Sequence, residues 1–208
     1  KLEMLRRKGE LGSTHEILLG TLYLSEQNSQ LGADTLRRVL KREGFSDHAA
    51  ALQAVRYCVD LSLVSLAQEL HGLVDLSKLD AIQQRNYQRL AAEILLTEDP
   101  ASQAALDRLK TLVTANPTDT HSLFLVGSIL MQQQLDQEAL LIFDQAIHSA
   151  GSHSQSALLK KAELLVRLEQ YQNAIECLDV FLKTNPSQEV SGYRDAITNV
   201  VKARTLSR

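Results

Sequence analysis

The chain has 208 residues, 44% of them hydrophobic and 23% charged, with a formal net charge of −3. This is the composition of a folded core rather than of a disordered chain, and the slight acidity gives no overall pull toward nucleic acid or anionic lipid. With 4% aromatics, no Trp, 9 Gly and 3 Pro, the turns and strands of a β-sandwich or barrel are missing. Leu, Ala, Gln and Glu favour helix, so the fold class is all-α.

Residues 13–44, within an N-terminal region 1–45, read as a degenerate helical hairpin. Gly20, Gly32 and Gly44 are spaced by twelve (32 − 20 = 12; 44 − 32 = 12). Ser46 is a good N-cap, and the Leu/Val/Ala-rich run after it holds no Gly or Pro through Leu70. It predicts a single long helix over 47–72, because nothing near Ser62 to Ser65 signals a turn. A break over 72–77 and a second long helix over 78–97 make residues 46–85 a long helical insert, the later part of that helix running into the next unit.

Three units follow, at 86–117, 120–151 and 155–186. Gly127, Ala139 and Gly151 repeat the twelve-residue step, as do Ala162, Ala174 and Pro186. The 86–117 unit keeps Ala105 and Pro117 but has Glu93 where the first small residue belongs. The unit length follows (139 − 105 = 34; 174 − 139 = 35). A final amphipathic helix over about 189–205, in region 187–208, is either a cap or the start of another repeat.

Small residues on facing helices let two backbones approach, and Pro or Gly stops the second helix before the next unit. Leu19, Tyr23, Val126, Leu130 and Leu165 fill the first helices. Leu36, Val39, Leu109, Leu112, Phe143, Ala146, Leu178 and Phe181 give the second helices their apolar stripe.

This pattern resembles the tetratricopeptide repeat, a helix-turn-helix unit of 34 residues. Val126-Gly127-x-x-Leu130 with Ala139-x-x-x-Phe143-x-x-Ala146 carries the likeness best, and Tyr171 three before Ala174 supports it in the next unit. The resemblance implies a right-handed α-α superhelix of such hairpins. It also implies that first helices line a concave groove that takes a peptide or an amphipathic helix. The positions so implied are His121, Phe124, Ser128 and Met131, then Ser156, Leu159, Glu163 and Val166, with Lys160 and Arg167 at the border. Tyr87, Leu90 and Ile94 extend the surface upstream. The Lys/Asn/Arg clamp by which some members hold chaperone tails is disfavoured, since the matching positions are mostly apolar or Ser and the Asn residues are missing. The competing reading of the stripe is that the chain's own last helix or core packing fills it.

No catalytic, cofactor or metal site is expected. The six His show no i, i+4 pairing and no carboxylate at ligand spacing. His148 and His153 read as loop residues in solvent, and Cys58 and Cys177 as small buried hydrophobes. Gly9 and Gly12 precede no strand and cradle no phosphate. Two basic clusters stand out, Arg6-Arg7-Lys8 and the stripe Arg37, Arg38, Lys41, Arg42; the stripe, flanked by Asp34 and Glu43, reads as a solvated helix face. No stretch approaches the roughly 18 apolar residues of a membrane span. The opening at Lys1 without Met suggests a processed or excised piece, soluble, cytoplasmic or periplasmic.

The leading expectation is a non-catalytic scaffold for a protein partner, self-association being open and nucleic acid disfavoured. The alternatives are a spacer or regulatory region of a larger enzyme or of a bacterial envelope or secretion machine, and RNA or anionic-surface contact through 37–42, which would weaken steeply with salt.

Overall fold

The structure, a computed structural model, describes residues 12–206. The Arg6-Arg7-Lys8 cluster and Gly9 lie outside the described residues. Among those described, eleven α-helices and a short 3-10 turn at Leu76–Lys78 make up the secondary structure. They fall into two compact units, Lys1–Arg108 and Leu109–Arg208.

In the first unit, α1 (Ser13–Ser25) and α2 (Ser29–Leu40) form one hairpin, and α3 (His48–Asp60) and α4 (Val64–Gly72) a second. α5 (Ala81–Glu98) packs on both helices of the second hairpin. Its start is fixed by Asp80, which accepts from the Gln83 amide while the Gln83 side chain accepts from the Asp80 amide, at 2.8 and 2.9 Å. Leu36, Val39, Val55, Cys58, Ala67, Leu70 and Ile94 lie in the core of this unit.

α6 (Gln103–Ala115) runs across the division between the units. In the second unit, α7 (Thr120–Gln132) pairs with α8 (Asp136–His148), and α9 (Ser154–Arg167) with α10 (Tyr171–Thr184). α9 also packs on α7 and α8, and α11 (Gln188–Leu206) packs on α10.

The helix expected over 47–72 is two helices, and the reason is a turn made by backbone alone. After α3, Ser62 takes φ 57°, its amide reaches the Val59 carbonyl at 2.9 Å, and the Leu63 amide reaches the Cys58 carbonyl at 2.8 Å. This is the Schellman closure of a helix C-terminus. The same pair of bonds recurs at Gln27–Asn28, Gln134–Leu135 and Glu169–Gln170, with φ 61°, 61° and 59° at the first residue of each. The second residue of each pair then opens the next helix with nearly the same backbone, ψ between 57° and 64°. Four hairpins therefore share one connection, and none uses Gly at the left-handed position.

The small residues act as expected, with one refinement. At Gly32 a Cβ would come within 2.9 Å of the Gly20 carbonyl, so these two backbones do meet. At Gly127 a Cβ would lie 2.6 Å from the Phe143 ring, one turn beyond Ala139, so the glycine makes room for an aromatic. Gly151 does not itself close α8. Ala150 holds the left-handed conformation, φ 49°, and Gly151 is needed because the Thr120 side chain fills the space a Cβ would take.

Glu93 is buried, yet it replaces close packing by charge pairing. Arg56 of α3 reaches one oxygen at 2.5 Å, and Arg89 lies 3.7 Å from the other. Burial pushes this carboxyl above its ordinary range, against the pull of the two guanidinium groups.

Candidate functional site

α7 carries no charged side chain in its thirteen residues. Its apolar majority faces the core through Leu123, Val126, Ile129 and Leu130, which leaves His121, Phe124, Leu125 and Ser128 half-buried along one side. Their spacing of three, four and seven is that of a single helix face. Ser128 donates to the Phe124 carbonyl at 2.8 Å, so its hydroxyl is partly spent within the helix.

An aromatic group gathers at the start of this face. The His121 and His153 rings stack with centroids 4.0 Å apart and planes 5° from parallel. Phe124 lies 5.9 Å from His153 and 6.5 Å from Phe143. His153 is thus a packed ring at the N-cap of α9, not a loop residue in solvent; His148 is exposed, but it is the last residue of α8 rather than part of a loop. The sequence did hold a signal for this. His153 lies 34 residues after Asp119, the N-cap of α7 (153 − 119 = 34), so the repeat itself brings the two helix starts into register.

α9 continues the surface with mixed chemistry. Glu163 is exposed and paired with Lys160 at 2.7 Å. Arg167 donates to the Met131 carbonyl at 3.2 Å and pairs with Asp136 of α8. Leu159 and Val166 are half-buried against the cluster of Ala162, Leu178 and Ile197, so part of the expected stripe is filled by α11. Tyr193 of α11 stands near Glu163, and burial first, the Glu163 charge second, push its phenol up.

Two positions expected on the groove are closed. Met131 is 7% exposed, and Ile94 is 5% exposed within the core of the first unit. Neighbouring helices cover both side chains, so neither lines an open surface. Leu90 is buried as well, and Tyr87 stacks on His71 with centroids 3.8 Å apart. Tyr87 and Ile94 belong to the first unit and the other groove positions to the second.

The basic stripe of α2 is neutralised within the first unit. Arg37 and Lys41 meet Glu69 at 2.7 and 3.2 Å, while Arg38 and Arg42 both pair with Glu16. Glu69 is held below the usual carboxylate range by the Arg37 and Lys41 hydrogen bonds. On the other side of the second unit, a cavity of about 500 Å³ lies over α9 between α8 and α10. Leu140, Leu158, Leu165, Cys177 and Val180 surround the Lys161–Asp144 ion pair there.

Among the described residues no group of three or more His, Cys, Asp or Glu could hold a metal ion, and no helix is long and apolar enough to cross a membrane.

The family model of the tetratricopeptide repeat matches residues 102–157, and a second model of the same repeat matches residues 156–187. Over residues 102–187 the chain carries tetratricopeptide repeats. Solved structures with the same repeat share its fold. TTC0263, a thermophilic TPR protein of Thermus thermophilus, is 16% identical, with TM-score 0.64 over 90% of this chain and 99% of that one. The pilF protein of Pseudomonas aeruginosa is 19% identical, with TM-score 0.66 over 93% of this chain and 86% of that one. YrrB, a TPR protein with an unusual peptide-binding site, is 18% identical, with TM-score 0.58 over 93% and 96%. No sequence among the curated proteins matches the chain.

Proposed function

We propose that this TPR chain is a non-catalytic scaffold that binds a protein partner, as a peptide or an amphipathic helix, along α7 and the adjoining part of α9. The observation that carries this reading is the uncharged face of α7, with Phe124 and Leu125 flanked by His121 and Ser128. Such a face suits the apolar side of an amphipathic helix, with hydroxyl and imidazole groups along its edge for orientation. The peptide-binding site of YrrB, a protein of the same fold, agrees with this use.

Leu159, Glu163 and Val166 extend the surface where α11 leaves them partly open, whereas Met131 and Ile94 serve the core. Burying one large apolar side chain of a partner stabilises by roughly 1.5–3 kcal/mol. Two such anchors on Phe124 and Leu125 supply about 3–6 kcal/mol, short of the ~8 kcal/mol of micromolar binding, so the adjoining Leu159 and Val166 must contribute as well.

The test combines Phe124→Leu, which keeps apolar bulk against the Phe143 ring, with Ser128→Arg, both at half-buried positions of the α7 face. Captured peptides or proteins should be lost while the helical signal and the unfolding midpoint stay within about 1 kcal/mol of the parent chain. A folded double variant that still captures every partner removes α7 from the reading.

A further inference from the structure

The last helix stands in the register of a first helix. Gly127 of α7, Ala162 of α9 and Ile197 of α11 recur at steps of 35 (162 − 127 = 35; 197 − 162 = 35). Ile197 is 4% exposed and lies in one cluster with Ala162 and Leu178. The correspondence then breaks down on a second face. Ala157, Leu158 and Leu165 of α9 are buried, but their counterparts Gly192, Tyr193 and Val200, each 35 residues on, are exposed, Tyr193 at 41% and Val200 at 43%. Ala196 lies between them on the same side of the helix and is also exposed. A Cβ at Gly192 would meet nothing within 4 Å. An apolar helix face that is covered in α9 is therefore open in α11.

The charges of α11 say what fits it. Glu189 lies in its first turn and Lys202 near its end, beside Arg204, which is already held by Glu169 and lies over the Tyr171 ring of its own chain. A helix of the same sequence laid antiparallel, with the two-fold axis at Ala196, sets Glu189 beside the partner's Lys202. Symmetry repeats the match at the other end. The same arrangement packs Tyr193 and Val200 around the open space at Gly192. A parallel copy would instead place like charges together at both ends. We infer that the chain pairs with a second copy of itself through an antiparallel, isologous contact of α11 with α11. One helix pair buries less than the ~1,600 Å² of a standard interface, so the dimer is weak and reversible.

Sedimentation velocity on the 208-residue chain, over about 5 to 500 μM, reads this directly. A concentration-dependent shift from monomer to dimer is expected. Val200→Glu should abolish the dimer with the circular dichroism unchanged. Lys202→Glu should weaken it by about tenfold, and adding Glu189→Lys to the same chain should restore it, since the exchange re-creates opposite charges at each end. A chain that stays monomeric throughout overturns the inference. So does a dimer that survives Val200→Glu, including one that dissolves instead with Leu18→Glu on α1.

Discussion

Ser62 lies 35 residues after Gln27 (62 − 27 = 35) and holds the same left-handed backbone, φ 57° against 61°. The same step separates Gln134 from Glu169 (169 − 134 = 35). The period of the fold is therefore written in its turns as well as in its small residues, and it includes the α3–α4 hairpin.

A left-handed residue other than Gly costs roughly 1–2 kcal/mol of conformational energy, partly offset by the extra freedom Gly has when unfolded. Ser62→Gly should raise unfolding stability by up to about 1 kcal/mol, and Ser62→Val should lower it by at least as much, because β-branched residues resist positive φ. Urea denaturation of the two variants checks both signs. Equal midpoints would show that the turn at 61–63 is not formed.

Gly127→Leu tests the seam between α7 and α8. The Phe143 ring occupies the place of a side chain, and Phe143 itself is fully buried. Overpacking should cost about 1–3 kcal/mol. Cutting Phe143 to Leu in the same chain should recover part of the loss, and an additive double variant would mean that the two residues do not touch.

His71 gives the fold a pH dependence with a defined sign. Its Nε2 lies 3.0 Å from the Tyr87 carbonyl, and burial holds the imidazole below its ordinary 6.5 despite that hydrogen bond. The unfolded chain then takes up its proton first as pH falls, so this contribution is complete above about pH 6.5 and is lost as pH falls toward the folded value. The urea midpoint should drop between about pH 7.5 and 5.5, and His71→Phe should flatten that part of the slope. An identical slope in the variant would remove His71 as its source.

The thiols should separate by reactivity. Burial pushes Cys58 up to about 12, and Cys177 is half-buried at the cavity over α9 with its thiol also raised. At about pH 8 the native chain should label slowly at Cys177 and not at Cys58 until urea opens the first unit. Prompt labelling of Cys58 in the native state would contradict its place in the core.

The repeat was legible because close packing leaves a mark in residue size. Gly20, Gly32 and Gly127 cannot be larger without displacing Leu36, Leu24 or Phe143. The turn at Ser62 left no such mark, since its bonds run between backbone groups and tolerate Ser, Gln or Glu at the left-handed position. Helical register places His121, Phe124 and Ser128 on one side of α7, where all three are half-buried. It could not show what covers that face, and Met131 and Ile94 are closed by neighbouring helices whose placement depends on the whole stack. Glu93 was visible as an exception to the pattern, but its partner Arg56 lies 37 residues away and no local spacing connects them.

The central claim is that the uncharged face of α7 is where a partner binds. Peptides selected on the intact chain, followed by amide chemical-shift mapping of the complex, test it most directly. The account predicts that the largest shifts fall on residues 121–128 and on 159–166, with Phe124 and Leu125 foremost. Shifts confined to the cavity side of α8 and α10, around Leu140, Cys177 and Val180, with α7 unmoved, would contradict it.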